Sequence, residues 1–299
     1  MNGISQKPLV SVVMSMRNNA RTVELAVRSV QMQTLDDWEM VLIDDGSTDS
    51  GASIVEALAD PRIRLHRGTQ TLGLAARLNQ AVTMSKGEFI ARMDADDVCF
   101  PERLARQSAR LQNDPTLDLV GCHALVFNDA GSATGLMCAG LDHEMIVARP
   151  FEGFPLPHPT WFGRARWFRE NLYDSALMKT QDQDLLLRVF AKSRFCALDE
   201  VLLGYRQDKP DLEKKLRGRL VFAGSLLRYA RTNGRYGAAI AGIARHSAKA
   251  IVDTVAAVLG LSRYAQRRRF HPVPQSVDLQ WSDLWRKLNS SGPVTSCVE

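Results

Sequence analysis

From Leu9 to Asn113, short β-branched runs alternate with segments of helical period, and this alternation constrains the fold more than any other feature of the chain. Leu9 to Met14 (LVSVVM) is a short apolar run rich in β-branched residues, the mark of a strand covered on both faces. Asn18 to Gln33 then places Val23, Ala26, Val27 and Val30 on one helical face. Trp38 to Ile43, Ile63 to His66 and Phe89 to Met93 read as further strands, and Ser50 to Leu58, Gly73 to Ser85 and Pro101 to Asn113 as helices. Strands and helices alternating with short links predict an α/β fold: a single open, mostly parallel sheet with helices on both faces. With 299 residues, 45% of them hydrophobic, the chain can bury a large core, which excludes disorder over its length.

Beyond Asn113 the pattern changes. Leu117 to Phe127 and Phe195 to Tyr205 are strand-like, Ala130 to Gly140 reads as a loop or hairpin, and Asp142 to Ala148 as a short helix. Three prolines make Phe151 to Pro159 an ordered loop, and Gln183 to Lys192 has helical spacing. Leu212 to Leu261 is mostly helical and basic, and Gln275 to Glu299 reads as a weakly ordered tail. The expected division is therefore an α/β body over 1–206, a basic helical C-terminal extension over 207–270 and a weakly ordered tail over 271–299.

Charge is uneven along the chain. Residues 206–270 hold 15 Lys and Arg against 4 Asp and Glu, whereas residues 1–205 hold 21 against 26. A basic segment of this kind favours an anionic partner, either a membrane surface or a nucleic acid. Within it Ile251 to Leu261 is apolar but broken by Asp253, and Arg263, Arg267, Arg268 and Arg269 follow. It is too short to span a bilayer, so it either lies in a bilayer interface or packs on the body with a solvated basic face. Cys99, Cys122, Cys138, Cys196 and Cys297 are odd in number and scattered, which points to reduced thiols and a cytoplasmic compartment. Met1 to Pro8 carries no apolar core of a secretory signal, and no run of about 18 apolar residues suggests a membrane span.

Two strands expected to be neighbours in the sheet, with their tips converging on one cation, end in acid: Asp44-Asp45-Gly46-Ser47 and Asp94-Ala95-Asp96-Asp97. Ligands of open parallel sheets bind outside the carboxyl ends of the strands. Asp94 and Asp96 can project to one side, and carboxylates held close together repel unless a cation lies between them. Hard oxygen donors suit Mg2+ or Mn2+, with positions left for phosphate oxygens, so the inferred ligand is a phosphate ester, with a nucleoside diphosphate favoured. The competing reading of each cluster is turn and helix-cap chemistry, which Asp and Gly also favour.

In order along the chain, Ser11-Val12-Val13-Met14, WEMVLIDDGS (38–47), GLAARLNQAVTMSKGEFIARMDADD (73–97), His158-Pro159-Thr160 and QDQDLLLR (181–188) resemble family 2 inverting glycosyltransferases of the GT-A fold, of the bacterial polysaccharide-biosynthesis kind. The resemblance covers roughly residues 8–206. It implies hexosyl transfer from a nucleotide sugar, a UDP-sugar by preference, to a hydroxyl of a glycan or lipid-linked acceptor. It implies a divalent metal, Mn2+ or Mg2+, and no nucleic acid partner. Asp45, with Asp44 beside it, would accept the ring N–H of the base, and Arg77 and Asn79 would help line the donor pocket. Asp96 would hold the metal and Asp94 the ribose or sugar hydroxyls, with Asp97 in support, so that the metal set is Asp96 and Asp94 together with His158.

Asp182 would be the general base, taking the acceptor's proton during direct displacement with inversion; its competing reading is an ordinary acid of a helix's first turn. His158 is placed near the metal on the acceptor side, or else is a histidine satisfied within its loop. Trp161 and Trp167 either floor an acceptor pocket or fill core. Arg188 pairs either with a site carboxylate or with solvent. Ser15-Met16-Arg17-Asn18 stands where the family often has Pro-Thr-Tyr-Asn, and Gln181-Asp182 where it has Glu-Asp. Two other functions fit parts of the sequence: a metal-dependent nucleotidyltransferase, and a non-enzymatic nucleic-acid binder acting through the basic segment. The expected location is cytoplasmic, with peripheral attachment at the inner face of the membrane.

Overall fold

The computed structural model describes residues 7–207, 212–261 and 270–290. The leading strands form where the apolar runs predict them. β1 (Val10–Met16) and β2 (Trp38–Asp44) are buried at every position, and β4 (Phe89–Asp94) at all but the last. With β3 (Ile63–Arg67) they form the parallel half of one sheet, in the order β3-β2-β1-β4. The sheet continues through the antiparallel β8 (Phe162–Arg164) to β6 (Leu119–Phe127), β9 (Phe195–Arg206) and the two-residue β5 (Val98–Cys99), while β7 (Ala133–Met137) makes a hairpin with β6.

Alternation of side chains across the sheet builds a core on each face. Val12, Met14 and Leu42 pack toward α1 (Val23–Gln31), α2 (Gly51–Ala57) and α4 (Arg103–Asn113). Val13, Val41 and Ile43 pack toward α3 (Leu74–Met84), α6 (Ala165–Glu170) and α7 (Gln181–Val189). The expected helix at 142–148 is α5 (His143–Val147), capped by Asp142, whose carboxylate accepts from the Met145 N–H. The basic segment forms a pair of helices, α8 (Leu212–Asn233) and α9 (Tyr236–Val258), with Gly234 at φ +69° between them.

Two expectations change. Of the tail expected over 271–299, residues 275–290 are instead a helix, α10 (Gln275–Ser290), while 291–299, like Arg263, Arg267, Arg268 and Arg269 of the basic segment, lie outside the described residues. Trp281, Leu284 and Leu288 of α10 recur at helical spacing and are buried in a third core with Phe100 and Phe127. The Trp281 ring lies 4.6 Å from that of Phe127, and its Nε1 donates to the Gly131 carbonyl at 2.7 Å. The acid-tipped strands β2 and β4 also do not pair with each other. Each pairs with β1, so that Ser15 faces both Ile43 and Asp94. Two strand spacings put the tips about 10 Å apart, too far to share one ion.

Candidate functional site: an acidic strand end and a buried acid at a helix start

The turn after β4 gathers Asp94, Asp96 and Asp97, with one carboxylate oxygen of each within 4.8 Å of the others. Three features hold it. The Thr22 hydroxyl donates to the Ala95 carbonyl at 2.9 Å. Pairing of β5 with β9 brings Arg206 alongside, where its backbone N–H donates to Asp97 Oδ1 at 2.9 Å and its Nε to the Asp96 carbonyl at 3.0 Å. Arg92, two residues before Asp94 and on the same side of β4, donates Nη2 to Asp94 Oδ1.

The electrostatics of this turn are unbalanced. Burial, and then the Asp94 charge, push Asp96 up to about 6. Burial, then Asp96 and Asp94, push Asp97 well above the carboxylate range, and its Oδ2 has no hydrogen-bond partner among the described residues. An orphaned carboxylate oxygen among three crowded acids is a hard-oxygen donor set short of positive charge. It fits Mg2+ or Mn2+. His158 lies outside this set, contrary to expectation, because its Nε2 meets the Tyr173 hydroxyl at 2.8 Å. Burial, and then the Arg92 charge, hold its imidazole well below the usual histidine range, so it is neutral.

Asp182 is the second residue of α7. Thr180 before the helix has φ +54°, a left-handed conformation that costs a β-branched residue strain and that clusters at functional sites. Gln183 braces the acid: its Nε2 donates to Asp182 Oδ2 at 3.1 Å, while its Oε1 accepts from the Phe154 N–H at 2.7 Å. Burial pushes the Asp182 carboxyl up, and Gln183 and Arg92 only partly offset it. Asp182, His158, Cys138 and Tyr205 line one cavity of about 300 Å3. The Tyr205 hydroxyl is raised by burial and then by the charges of Asp97, Asp94 and Asp96, so the acidic turn bears on a wall of the cavity that Asp182 lines. A larger cavity, about 860 Å3, lies between β9 and α10 and contains none of these acids.

The remaining candidates do other work. Asp45 is buried, accepting from the N–H groups of Leu72 (2.7 Å) and Gly73 (2.9 Å) and from Arg77 Nε (2.7 Å). Burial would raise its carboxyl, but these donors outweigh it and hold it below the usual range. Arg77 bonds Asp45, Gln80 and the Gln70 carbonyl. It passes so close to Gly68 that any Cβ there would collide with its guanidinium. Asp44 caps its own turn, accepting from the Ser47 N–H at 2.9 Å. Asn79 brackets the backbone of Tyr173, donating to its carbonyl and accepting from its N–H, both at 2.9 Å.

Trp161 is fully buried core, stacked at 6.4 Å on Tyr173, and does not floor a pocket; Trp167 is likewise buried, its Nε1 on the Ser193 hydroxyl. Arg188 pairs with Asp184 at 2.9 Å and with the Leu172 carbonyl, not with a site acid. Arg92 is the residue that sequence reasoning missed. It is 2% exposed, its Nε and Nη1 lack partners among the described residues, and its charge bears on Asp94, Asp97, Asp182 and His158. An arginine inside an apolar strand, two positions before an acid, was the available signal.

Residues 11–172 match the family described as Glycosyl transferase family 2. The chain is 33% identical over 215 residues to the putative glycosyltransferase EpsE of Bacillus subtilis (strain 168), a match covering 70% of this chain and 76% of that protein. Its structure is similar to that of the mannosyltransferase PcManGT from Pyrobaculum calidifontis, solved with GDP-Man and Mn2+ (TM-score 0.61, 18% identity, 96% of this chain and 89% of that one). It is also similar to residues 1–349 of S. aureus TarS, solved with UDP-GlcNAc (TM-score 0.59, 16% identity, 93% of this chain and 80% of that one).

Proposed function

The chain belongs to glycosyl transferase family 2 and is a glycosyltransferase with the GT-A fold; on that premise we propose that it moves a sugar from a nucleoside-diphosphate sugar, a UDP-sugar by preference, to a hydroxyl of a glycan or lipid-linked acceptor, with inversion. The observation that carries this reading is proximity: Asp182 lines one cavity from α7 and Tyr205 lines it from β9, and Arg206, the next residue of β9, is bonded to Asp97 and to the Asp96 carbonyl of the β4 turn. In this reading the donor diphosphate sits at the β4 turn and the attacking hydroxyl enters the neighbouring cavity that Asp182 lines. That TarS is solved with UDP-GlcNAc and PcManGT with GDP-Man and Mn2+ supports a nucleotide-sugar donor and a divalent metal here.

Asp182 accepts the acceptor's proton as its oxygen attacks the anomeric carbon, and the sugar–phosphate bond breaks on the opposite face. Raised above the ordinary carboxylate range, Asp182 is a stronger base than a solvated aspartate. Asp94 and Asp96, with Asp97, would hold Mn2+ or Mg2+, which supplies positive charge for the leaving diphosphate. Arg92 fixes Asp94 in place from below. Asp45 shapes the base pocket by anchoring residues 72–73, and the neutral His158 stands in the cavity wall on the acceptor side. The catalytic unit is residues 1–206, and residues 207–270 are an appendage to it. The free thiols of Cys99, Cys122, Cys138 and Cys196 suit a reducing, cytoplasmic compartment.

The test is release of nucleoside diphosphate from UDP-, GDP- and dTDP-sugars. UDP-sugar turnover is expected to stop with EDTA, return with Mn2+, and be lost in Asp96→Asn. No turnover of any donor, or turnover indifferent to EDTA, refutes the reading.

A further inference from the structure

Helix α9 is 23 residues long, about 35 Å at 1.5 Å per residue. In the sequence Asp253 breaks its apolar run, but in the structure that acid is turned inward and bonded to Arg219 of α8. The two cations of α9, Arg245 and Lys249, both lie to one side and reach Glu152, at 2.8 and 3.4 Å. The outer face is left with Ile240, Ile251, Val252, Val255, Val258 and Leu259, each 51–81% exposed, interspersed with Ala244, Ser247 and Ala248. That face of α9 carries no charged side chain.

A continuous apolar strip of this length on a soluble surface marks a binding face. The charge around it selects the occupant. Residues 212–259 hold nine Lys and Arg against two Asp and Glu, and Arg231 and Arg235 stand exposed where α8 meets α9. A second copy of the chain would bring the same positive charge against its own. Anionic lipid headgroups are attracted to it instead, and no helix among the described residues is long and apolar enough to cross a membrane. We propose that the outer face of α9 docks the protein on an anionic phospholipid surface, lying in the plane of the headgroups. Arg228 of α8 is bonded to Asp184 of α7 at 3.1 Å, so docking would tie the helix that carries Asp182 to the bilayer surface. The docking stands apart from the transfer reading, because it is measured without donor or acceptor.

The full chain is floated with vesicles of phosphatidylcholine alone and of phosphatidylcholine mixed with phosphatidylglycerol. Wild type is expected to float with the mixed vesicles, to lose binding as salt rises, and to bind the neutral vesicles weakly. Ile251→Glu combined with Val255→Glu changes only exposed positions, and is expected to lower binding at least about tenfold while donor turnover in solution is unchanged. Wild type remaining unbound with mixed vesicles overturns the proposal, as does a double variant that floats like wild type. A dimer seen by light scattering that the double variant dissociates, without vesicle binding, overturns it in favour of self-association. Failure to float leaves glycosyl transfer standing, and failure to turn over any donor leaves docking standing.

Discussion

Replacing Asp182 with Asn separates a base from a merely structural acid, because the two roles predict opposite changes in activity and stability. The substitution keeps shape, and the Asn carbonyl can still accept from Gln183 Nε2, which lies 3.1 Å from Asp182 Oδ2. What is lost is the proton acceptor. A positioned base is worth about 10²–10⁴-fold, or roughly 2.7–5.4 kcal/mol of barrier. Stability should move the other way. Burial raises the Asp182 carboxyl, so the folded state holds this proton more tightly than the unfolded chain does. The ionised acid therefore costs stability once the pH exceeds the folded pKa, and has no such cost below the unfolded value. Asn removes that cost, and its melting temperature at neutral pH should equal or exceed that of wild type. Asp182, raised by burial, and Asp96, pushed up to about 6, both take up protons on the acid limb of the wild-type kcat/KM profile, which therefore lies above the usual aspartate range near 3.9. The assays are nucleotide release across pH and thermal unfolding of both proteins. A variant within about tenfold of wild-type kcat, or one whose lost activity is matched by a lower melting temperature, refutes the assignment.

Arg77→Met leaves a buried Asp45 supported only by two backbone N–H groups, since the broken pair is 6% and 5% exposed. Urea unfolding at neutral pH should show a loss of about 3–5 kcal/mol, whereas a loss within about 1 kcal/mol would mark the pair as no better than a surface one. Because these donors hold Asp45 below its ordinary range, their stabilisation is present above the unfolded pKa and is lost as pH falls through the folded one; the gap between variant and wild type should narrow in acid. Trp281→Ala should cost about 3–5 kcal/mol and expose α10 to proteolysis, while Trp281→Phe, which keeps most of the ring packing and loses the bond to Gly131, should cost nearer 1 kcal/mol. If Trp281→Ala unfolds at the wild-type urea concentration, α10 does not contribute to the fold as described.

The parts of this molecule legible in the sequence are those whose signal is local. The runs that became β1, β2 and β4 are apolar because both faces of each strand are covered, and that requirement is visible without knowing what covers them. The acidic β4 turn was legible for a similar reason: Asp94, Asp96 and Asp97 crowd one another by sequence proximity alone. Arg77, Asn79 and Arg188 were not legible. Their residue types suit a ligand pocket, but the groups that engage them are Asp45, the Tyr173 backbone and Asp184 with the Leu172 carbonyl; the first two lie 32 and 94 residues away. Helix α10 failed the same way in reverse. Its spacing of Trp281, Leu284 and Leu288 obeys the helical period, but the surface it covers, at Phe100, Phe127 and Gly131, is built from a distant stretch of chain.

Asp253 shows how such a partner can invert the meaning of a residue. Read along the chain, it interrupts an apolar segment and weakens the case for a lipid-facing helix. With Arg219 supplied by the neighbouring helix, it becomes the group that fastens the inner face of α9 and leaves the outer face apolar. A charge counts against a hydrophobic surface only if it lies on that surface. Here the sequence specified the charge, and the packing of α8 against α9 decided its side.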